Sequence, residues 1–263
     1  MKCKNCSTEL ASESSFCYTC GGKIVKNRLT IRSITSNLVE TYFSYDNTFL
    51  RTFLNLFRNP DDVINSYVVV GVRRKYIAPF SFFVLAITIS GLYLFIIQKY
   101  FPEYFDLLQQ EMYSDENTKK FGSKITEFTT EYNSLINFIL IPFLAFISWV
   151  VFSNKRYNFT EHLVIYFYTM PFLSIVSVVL NLFLLVFFQE YLLQITFMIY
   201  GFIFIYHSYV LKRIFSLSFK QLVLKTLLFI PIFFLFYVLS SILLVVILFA
   251  TGNLVLEDFA PKA

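Results

Sequence analysis

Four cysteines near the amino terminus have the spacing of a metal-binding site. They form the pattern C-x2-C-x10-C-x2-C, and the chain has no other cysteine: Cys3, Cys6, Cys17 and Cys20. Each C-x2-C pair can direct two thiolates at one metal ion, and two pairs complete a closed tetrahedral shell with no open position for a substrate. We therefore predict a structural Zn2+ site in a small zinc-ribbon domain over residues 1–27.

Structural disulfides are the alternative use of these cysteines. Two C-x2-C pairs match the spacing of zinc ribbons. The distribution of basic residues, described below, places this amino-terminal domain, which we call the head, in a reducing compartment, where disulfides are rare. A head of about 20 residues buries too little apolar surface to fold alone. We expect a bound metal ion to supply most of its folding free energy, on the order of 10 kcal/mol or more.

The rest of the chain has the composition of an integral membrane protein. Of its 263 residues, 57% are hydrophobic and 34 are phenylalanine. An apolar run of about 20 residues can cross a bilayer as a helix. Five such runs predict an all-α membrane protein with a five-helix transmembrane bundle, its spans at about 77–97, 135–152, 163–188, 192–211 and 222–250.

The link between the third and fourth runs leaves the number of spans open. Only three residues separate these runs, so two complete spans require a tight helical hairpin. A re-entrant pair that turns back inside the bilayer is the alternative. Because the chain begins with polar residues and without a cleavable apolar segment, we expect the first span to act as the insertion signal.

Basic residues predict the orientation of the bundle. With the amino terminus inside, seventeen of the 22 Lys and Arg residues lie in cytoplasmic segments. Lys and Arg near the ends of spans are retained in the cytoplasm. We therefore predict a cytoplasmic amino terminus, an acidic extracytoplasmic loop over residues 98–134 and an external tail over residues 251–263.

A segment between the head and the first span, residues 28–76, has helical rather than membrane-spanning periodicity. Asp46 is a plausible helix cap within it, Asn59 and Pro60 are typical of a second helix start, and Gly71 is expected to end that second helix. We predict an interfacial, amphipathic helical neck with apolar stripes at Ile31, Ile34, Leu38 and Tyr42, at Phe49, Leu50, Phe53, Leu54 and Phe57, and at Val63, Ile64, Tyr67 and Val68.

The neck ends in three consecutive basic residues, Arg73, Arg74 and Lys75. At the level of anionic headgroups, each is worth about 1 kcal/mol of attraction. One hypothesis is a topology anchor. The other is a contact site for a lipid headgroup or a partner, completed by Arg51 and Arg58.

Polar residues inside spans are costly and therefore candidates for function. His207 is the ionisable residue that lies well inside a predicted span. One hypothesis is that it makes a single interhelical hydrogen bond, and the other is that it has a role in transport or catalysis. Asn181 and Gln194 complete a possible intramembrane polar site, with helix packing as the alternative. Glu161 and His162 are expected at the membrane interface. Pro142, Pro171 and Pro231 predict kinks within spans.

The order of these features resembles an uncharacterised family of bacterial membrane proteins. The resemblance rests on the cysteine ribbon, the segment 45–52, the Asn59–Pro60 break, and the run from Gly71 through the basic triplet to Tyr76 and Pro79. It covers about residues 1–97 and implies little beyond this architecture. We predict a location in a bacterial inner membrane. The topology, but not the sequence, is similar to the five-span Yip family.

Function is predicted mainly from missing catalytic motifs. The sequence has no Walker loop, no H-E-x-x-H and no G-x-S-x-G. We therefore predict a non-enzymatic adaptor or assembly component that contacts lipid and a protein partner. Nucleic acid is not an expected partner, since the basic patch of the head is small. The alternative is a small transporter or lipid-handling protein whose kinked helices enclose a cavity around His207.

Overall fold

The computed structural model describes residues 1–22, 24, 30, 48–102, 104, 116–188, 191–250 and 252, without the side chains of residues 116, 117, 119, 120, 192, 193 and 195. The chain forms two compact units, Met1–Asn47 and Thr48–Ala263. Several predictions lie outside the described residues: the stripe from Ile31 to Tyr42, the cap at Asp46, residues 103 and 105–115 of the loop after the first span, and nearly all of the tail.

The regular secondary structure in the described part of the second unit is entirely helical. Eight helices follow one another in the chain: α1 (Thr48–Arg58), α2 (Pro60–Val68), α3 (Pro79–Tyr100), α4 (Glu116–Glu131), α5 (Asn133–Val151), α6 (Phe159–Phe187), α7 (Leu192–Ile214) and α8 (Phe219–Ala250). Five of them, α3 and α5 to α8, begin and end within a few residues of the five predicted spans. The all-α prediction is therefore confirmed for the described residues.

Four of these helices, α3, α5, α6 and α8, are long and apolar enough to cross a membrane. Helix α7 occupies the fourth predicted span but is not among the four. It is the least apolar of the five, with Gln194, His207 and Ser208 along its length. The fifth crossing therefore stays a prediction.

Helix α6 is the centre of the bundle and contacts α1, α2, α3, α5 and α7. It begins earlier than predicted because Asn158 and Glu161 form a reciprocal capping box: Asn158 Oδ1 accepts from the Glu161 N–H at 2.9 Å, and Glu161 Oε2 accepts from the Asn158 N–H at 2.7 Å. Between spans, a hydrogen bond of 2.8 Å joins the hydroxyls of Ser90 on α3 and Ser174 on α6.

Helices α1 and α2 pack into the membrane unit. Leu56, Val63 and Ile64 are completely buried in its main apolar core. The Phe53 ring lies 4.9 Å from that of Phe172 on α6. The opposite side of α1 exposes Leu50, Leu54 and Phe57, so the predicted apolar stripe divides between the core and the outside.

Tyrosine hydroxyls complete this docking. The last carbonyls of a helix have no partner within the helix. Two such carbonyls of α1 accept hydrogen bonds from α7: Tyr206 donates to Leu56 O at 3.0 Å, and Tyr209 donates to Arg58 O at 2.9 Å. From α6, Tyr168 donates to Ile77 O at 2.8 Å.

Three connections lie at the same end of the unit, which we call the neck end: residues 69–78, 152–158 and 215–218. Tyr157 donates to Asn65 Oδ1 at 2.6 Å, and Lys155 donates to Phe215 O at 2.9 Å. At the opposite end, Ile97, Leu184 and Ile199 share a second apolar cluster. Helix α7 therefore runs antiparallel to α6 between the two ends.

Thr52 links α1 to the residues just before α3 by a buried hydrogen bond. Its buried hydroxyl accepts from the Ile77 N–H at 3.0 Å and donates to Thr48 O at 2.6 Å. We expect Thr52→Val to keep the shape and lower the free energy of unfolding by about 1–3 kcal/mol, because a buried N–H loses its acceptor. Thermal unfolding of the full chain in detergent measures this.

Thr88 on α3 offers a matched control, because its exposed hydroxyl bonds only to Val84 O in its own helix. Thr88→Val should leave the unfolding temperature nearly unchanged. Equal effects of the two substitutions would contradict the proposed role of Thr52.

Candidate metal centre and intramembrane cavity

The four cysteines meet in the first unit. All are free thiols, and their sulfur atoms lie within 4.8 Å of one another. Sγ of Cys3 lies 3.7 Å from that of Cys20, and Sγ of Cys6 lies 3.6 Å from that of Cys17. Four thiolates about 2.3 Å from one ion at tetrahedral angles are about 3.8 Å apart. The residues present therefore fit a metal ion held by four sulfurs.

The two halves of this head repeat the same backbone hydrogen bonds, although only their cysteines align obviously in sequence. In the first half, the Cys3 N–H donates to Thr8 O and the Ser7 N–H to Cys3 O, both at 2.9 Å. In the second, the Cys17 N–H donates to Gly22 O and the Gly21 N–H to Cys17 O, again both at 2.9 Å.

Both turns require the left-handed backbone region. Ser7 has φ of 61° and Gly21 has φ of 68°. The small core of the head joins equivalent residues of the two halves, since Cys3, Cys17 and Leu10 are buried together and Ile24 packs against them. Two similar knuckles thus face each other across the sulfur cluster.

Hydrogen bonds favour the thiolate form at the more exposed sulfurs. The Thr8 hydroxyl, 3.3 Å from Cys6 Sγ, lowers the pKa of Cys6 to about 6. The backbone N–H of Gly22 lowers the pKa of Cys20. Because the thiolate is the metal ligand, these contacts prepare the site for a cation.

The basic triplet of the second unit is engaged within the chain. Lys75 Nζ lies 2.7 Å from Asp62 Oδ2, and the guanidinium of Arg73 lies 3.7 Å from the centre of the Tyr67 ring. Tyr76 also donates to Asp62. Partial burial raises the pKa of Asp62, but the bonds from Lys75 and Tyr76 outweigh it, so this pKa lies below its ordinary value.

The remaining predicted contact residues lie on the same neck. Arg74 and Arg58 are exposed and Arg51 is half-buried. Arg213 of α7 adds an ion pair that the sequence did not predict, with Asp61 Oδ1 2.9 Å away. Solvent-exposed pairs of this kind are worth at most about 1 kcal/mol.

A cavity of about 430 Å3 lies between α5, α6, α7 and α8 and includes His207 in its wall. Most of the lining is apolar or aromatic, as in Phe204, Phe229 and Phe233. Its polar residues are Tyr166, Tyr200, His207, Ser208, Lys225 and Thr226. The structure therefore brings His207 together with Tyr166, which the sequence analysis did not identify.

The other predicted intramembrane residues lie elsewhere. The Asn181 amide donates to Ser177 O at 2.8 Å within its own helix, and Gln194 is exposed. Neither lines the cavity. His162, which we expect at the membrane interface, is fully buried, and its Nδ1 lies 2.9 Å from the Ser148 hydroxyl. Its depth in the membrane stays a prediction. In the sequence, Asn158 followed three residues later by Glu161 has the pattern of a capping box, and this pattern indicates that α6 begins before His162.

Comparison with known proteins finds one matching family model. Residues 46–91 match a family described as Protein of unknown function (DUF3667). No curated protein and no solved structure matches the chain. The match covers α1, α2, the basic turn and the first half of α3, so it confirms the resemblance to an uncharacterised family over this part. A bacterial origin and the likeness to the Yip family stay predictions.

The geometry of the head predicts that the full chain binds one metal ion in a manner that needs every cysteine. We expect Cys17→Ser to bring the metal content well below one ion per chain, since a buried ligand is lost. Elemental analysis of the purified protein measures this. Ser14→Ala is the control and should retain the ion. Full metal content in Cys17→Ser would contradict the four-sulfur site.

Proposed function

We propose that this protein is a non-enzymatic membrane adaptor or assembly component, in which a zinc-binding head engages a protein partner and the helical unit holds it at the membrane. The observation that carries the proposal is the sulfur cluster itself. Four protein ligands complete a tetrahedral shell, so a metal ion held there has no position left for a substrate. Such a site stabilises a small fold rather than performing a reaction.

Zinc is the metal we propose. Four thiolates at tetrahedral separation favour Zn2+ or an iron–sulfur centre over Mg2+ or Ca2+, which prefer oxygen ligands. Two C-x2-C knuckles are the usual ligand arrangement of a zinc ribbon. The ion has a structural role in this proposal, because the apolar cluster described in the head contains only Cys3, Leu10, Cys17 and Ile24 and is too small to stabilise a fold alone.

For the membrane unit we propose five spans, with the amino terminus in the cytoplasm of a bacterial cell and the carboxyl terminus outside. The end-to-end course of α7 supports a complete crossing over a re-entrant hairpin, because its 23 residues extend about 34 Å. The three connections at the neck end contain most of the basic residues between helices. This asymmetry supports a cytoplasmic neck end.

The head offers an aromatic surface for a protein partner. Phe16 and Tyr18 are 46% and 78% exposed, although aromatic side chains are usually buried in small domains. Both lie beside Cys17 in the second knuckle, so the metal site fixes their backbone. Aromatic residues are enriched where proteins bind each other. Nucleic acid is a poorer match, since binding to phosphates needs more basic contacts than the head provides.

A double substitution, Phe16→Ser with Tyr18→Ser, tests the adaptor role. We expect the variant to keep its metal ion, because neither side chain is a ligand, and to lose the partner that cross-links to the wild-type head in intact cells. Quantitative mass spectrometry of cross-linked, affinity-purified full-length protein measures the loss. Glu13→Gln, an exposed change on the same head, is the matched control.

Two results would contradict the adaptor role. One is an unchanged set of cross-linked proteins in the double variant. The other is an unchanged set in Cys17→Ser after the metal ion has been lost. Fusions of the carboxyl terminus to alkaline phosphatase and to a fluorescent protein test the orientation separately, and the proposal expects phosphatase activity without fluorescence.

A further inference from the structure

The cavity between α7 and α8 is elongated parallel to these two helices. On α7 its wall extends from Tyr200 to Leu211, and on α8 from Leu222 to Phe233. Each stretch rises about 17 Å along its helix axis. One leaflet of a bilayer contributes half of a hydrocarbon core that is about 30 Å thick. The cavity therefore has about the length of the acyl chains of one leaflet, measured from the neck end.

The cavity opens sideways between the two helices. Tyr200 and Phe204 on one side of the opening and Ile230 and Phe233 on the other all line the cavity, and all four side chains are exposed. Helix α8 packs against α5 more than against α7, which leaves this gap. Because α8 is apolar enough to cross a membrane, we expect the opening to face lipid. A hydrocarbon chain can then enter directly from the bilayer.

The wall of the cavity matches a hydrocarbon chain. Leu140, Leu144 and Phe229 are typical of its lining. The hydroxyl of Tyr166 and Nε2 of His207 are buried behind the wall and do not reach the space. The volume of about 430 Å3 lies within the usual range of ligand pockets, about 300–1,000 Å3. The deep part of the cavity thus favours an apolar ligand.

A lysine side chain lies at the neck end of this apolar space. Lys225 lines the cavity, and its Nζ donates to Val151 O at 2.5 Å and to Asn154 Oδ1 at 3.0 Å. An ammonium group has three N–H donors, so these two bonds leave one. Both acceptors are uncharged, and no acidic side chain of the described residues forms an ion pair with Lys225.

The end of α5 explains only part of this arrangement. Val151 is the last residue of α5, and a cation is favoured at the carboxyl-terminal end of a helix. That end carries about half of one negative charge. The contact therefore holds the ammonium of Lys225 in place without neutralising it. An anion at the neck end of the cavity completes the balance of charge.

Other basic residues lie near the same end of the cavity. Lys155 donates to Phe215 O at 2.9 Å, where α7 ends. Lys212 is exposed and lies one helical turn after Ser208, on the face of α7 that lines the cavity. The connection between α5 and α6 contains no acidic residue, nor does the connection between α7 and α8. The local charge is therefore positive.

We propose that the cavity binds one acyl chain of an anionic phospholipid, with the phosphate paired to Lys225 at the neck end. The chain enters through the lateral opening, and the second chain of the lipid stays in the bilayer. Basic pockets between transmembrane helices bind anionic headgroups in the same way. A zwitterionic phospholipid brings a cation of its own next to Lys155, Lys212 and Lys225, so it matches this end less well.

Photo-cross-linking of the full chain in nanodiscs tests this inference. Two probes, a phosphatidylglycerol and a phosphatidylcholine, carry the same diazirine on one acyl chain, and each is added in trace amount to unlabelled phosphatidylcholine. We expect the phosphatidylglycerol to label cavity residues such as Phe204 and Phe233 about fivefold more strongly, which is the preference that one basic residue gives at an anionic headgroup. Peptide mass spectrometry locates the labelled residues.

Substitutions separate the charge of the site from its shape. Lys225→Gln should reduce the preference for phosphatidylglycerol about fivefold, whereas Lys225→Arg keeps the charge and should retain it. Lys99→Gln removes the same charge at the far end of α3 and is the matched control. Ser208→Phe places a ring in the cavity and should lower labelling by both lipids. Unfolding temperatures verify that every variant is folded.

Three outcomes would overturn the proposal: equal labelling of cavity residues by the two lipids in the wild-type protein, a preference that Lys225→Gln leaves unchanged, and labelling of Phe204 and Phe233 that Ser208→Phe does not reduce. The first would mean that bilayer lipid fills the cavity without selection. None of them bears on the adaptor role, because that role depends on the head.

Discussion

The membrane unit depends on one constraint: a backbone carbonyl or N–H that is buried among apolar side chains must find a hydrogen-bond partner. Helix α1 ends against the bundle, where the carbonyl of Leu56 is buried and that of Arg58 lies near the surface. Tyr206 and Tyr209 supply the missing donors, and Thr52 supplies an acceptor to the Ile77 N–H. The segment matched by the family of unknown function, residues 46–91, thus includes a helix pair that is fixed to the bundle by polar contacts.

The neck and the interior of the bundle satisfy polar groups in different ways. At the neck, Asp62, Lys75 and Tyr76 satisfy one another. Deeper in the bundle, Nδ1 of His207 pairs with Ile203 O at 3.0 Å, and the His207 ring stacks on Tyr166. Solvent access differs as well, since the side chains of Lys75 and Asp62 are 42% and 45% exposed whereas Tyr166 is 1% exposed. Pairing at the neck joins α2 to the turn that follows it.

Local sequence patterns predicted the features that depend on local spacing. The C-x2-C pairs predicted that four cysteines converge, and apolar runs predicted α3 and α5 to α8 to within a few residues. Features that depend on tertiary contacts were not accessible in this way. Thr52 lies among the apolar residues of α1 with no sign that it faces the core, and His162 reaches Ser148 only after α5 and α6 pack. Likewise, no periodicity could place Tyr166 beside His207.

The central claim is that α1 and α2 are a structural part of the membrane bundle and not a separate neck resting on the lipid. Hydrogen–deuterium exchange of the full chain in nanodiscs tests it most directly, because amides in packed helices exchange only when the helices open. The account predicts that amides of α1 exchange as slowly as those of α6. Exchange of α1 amides much faster than those of α6, while α6 itself stays protected, would contradict it.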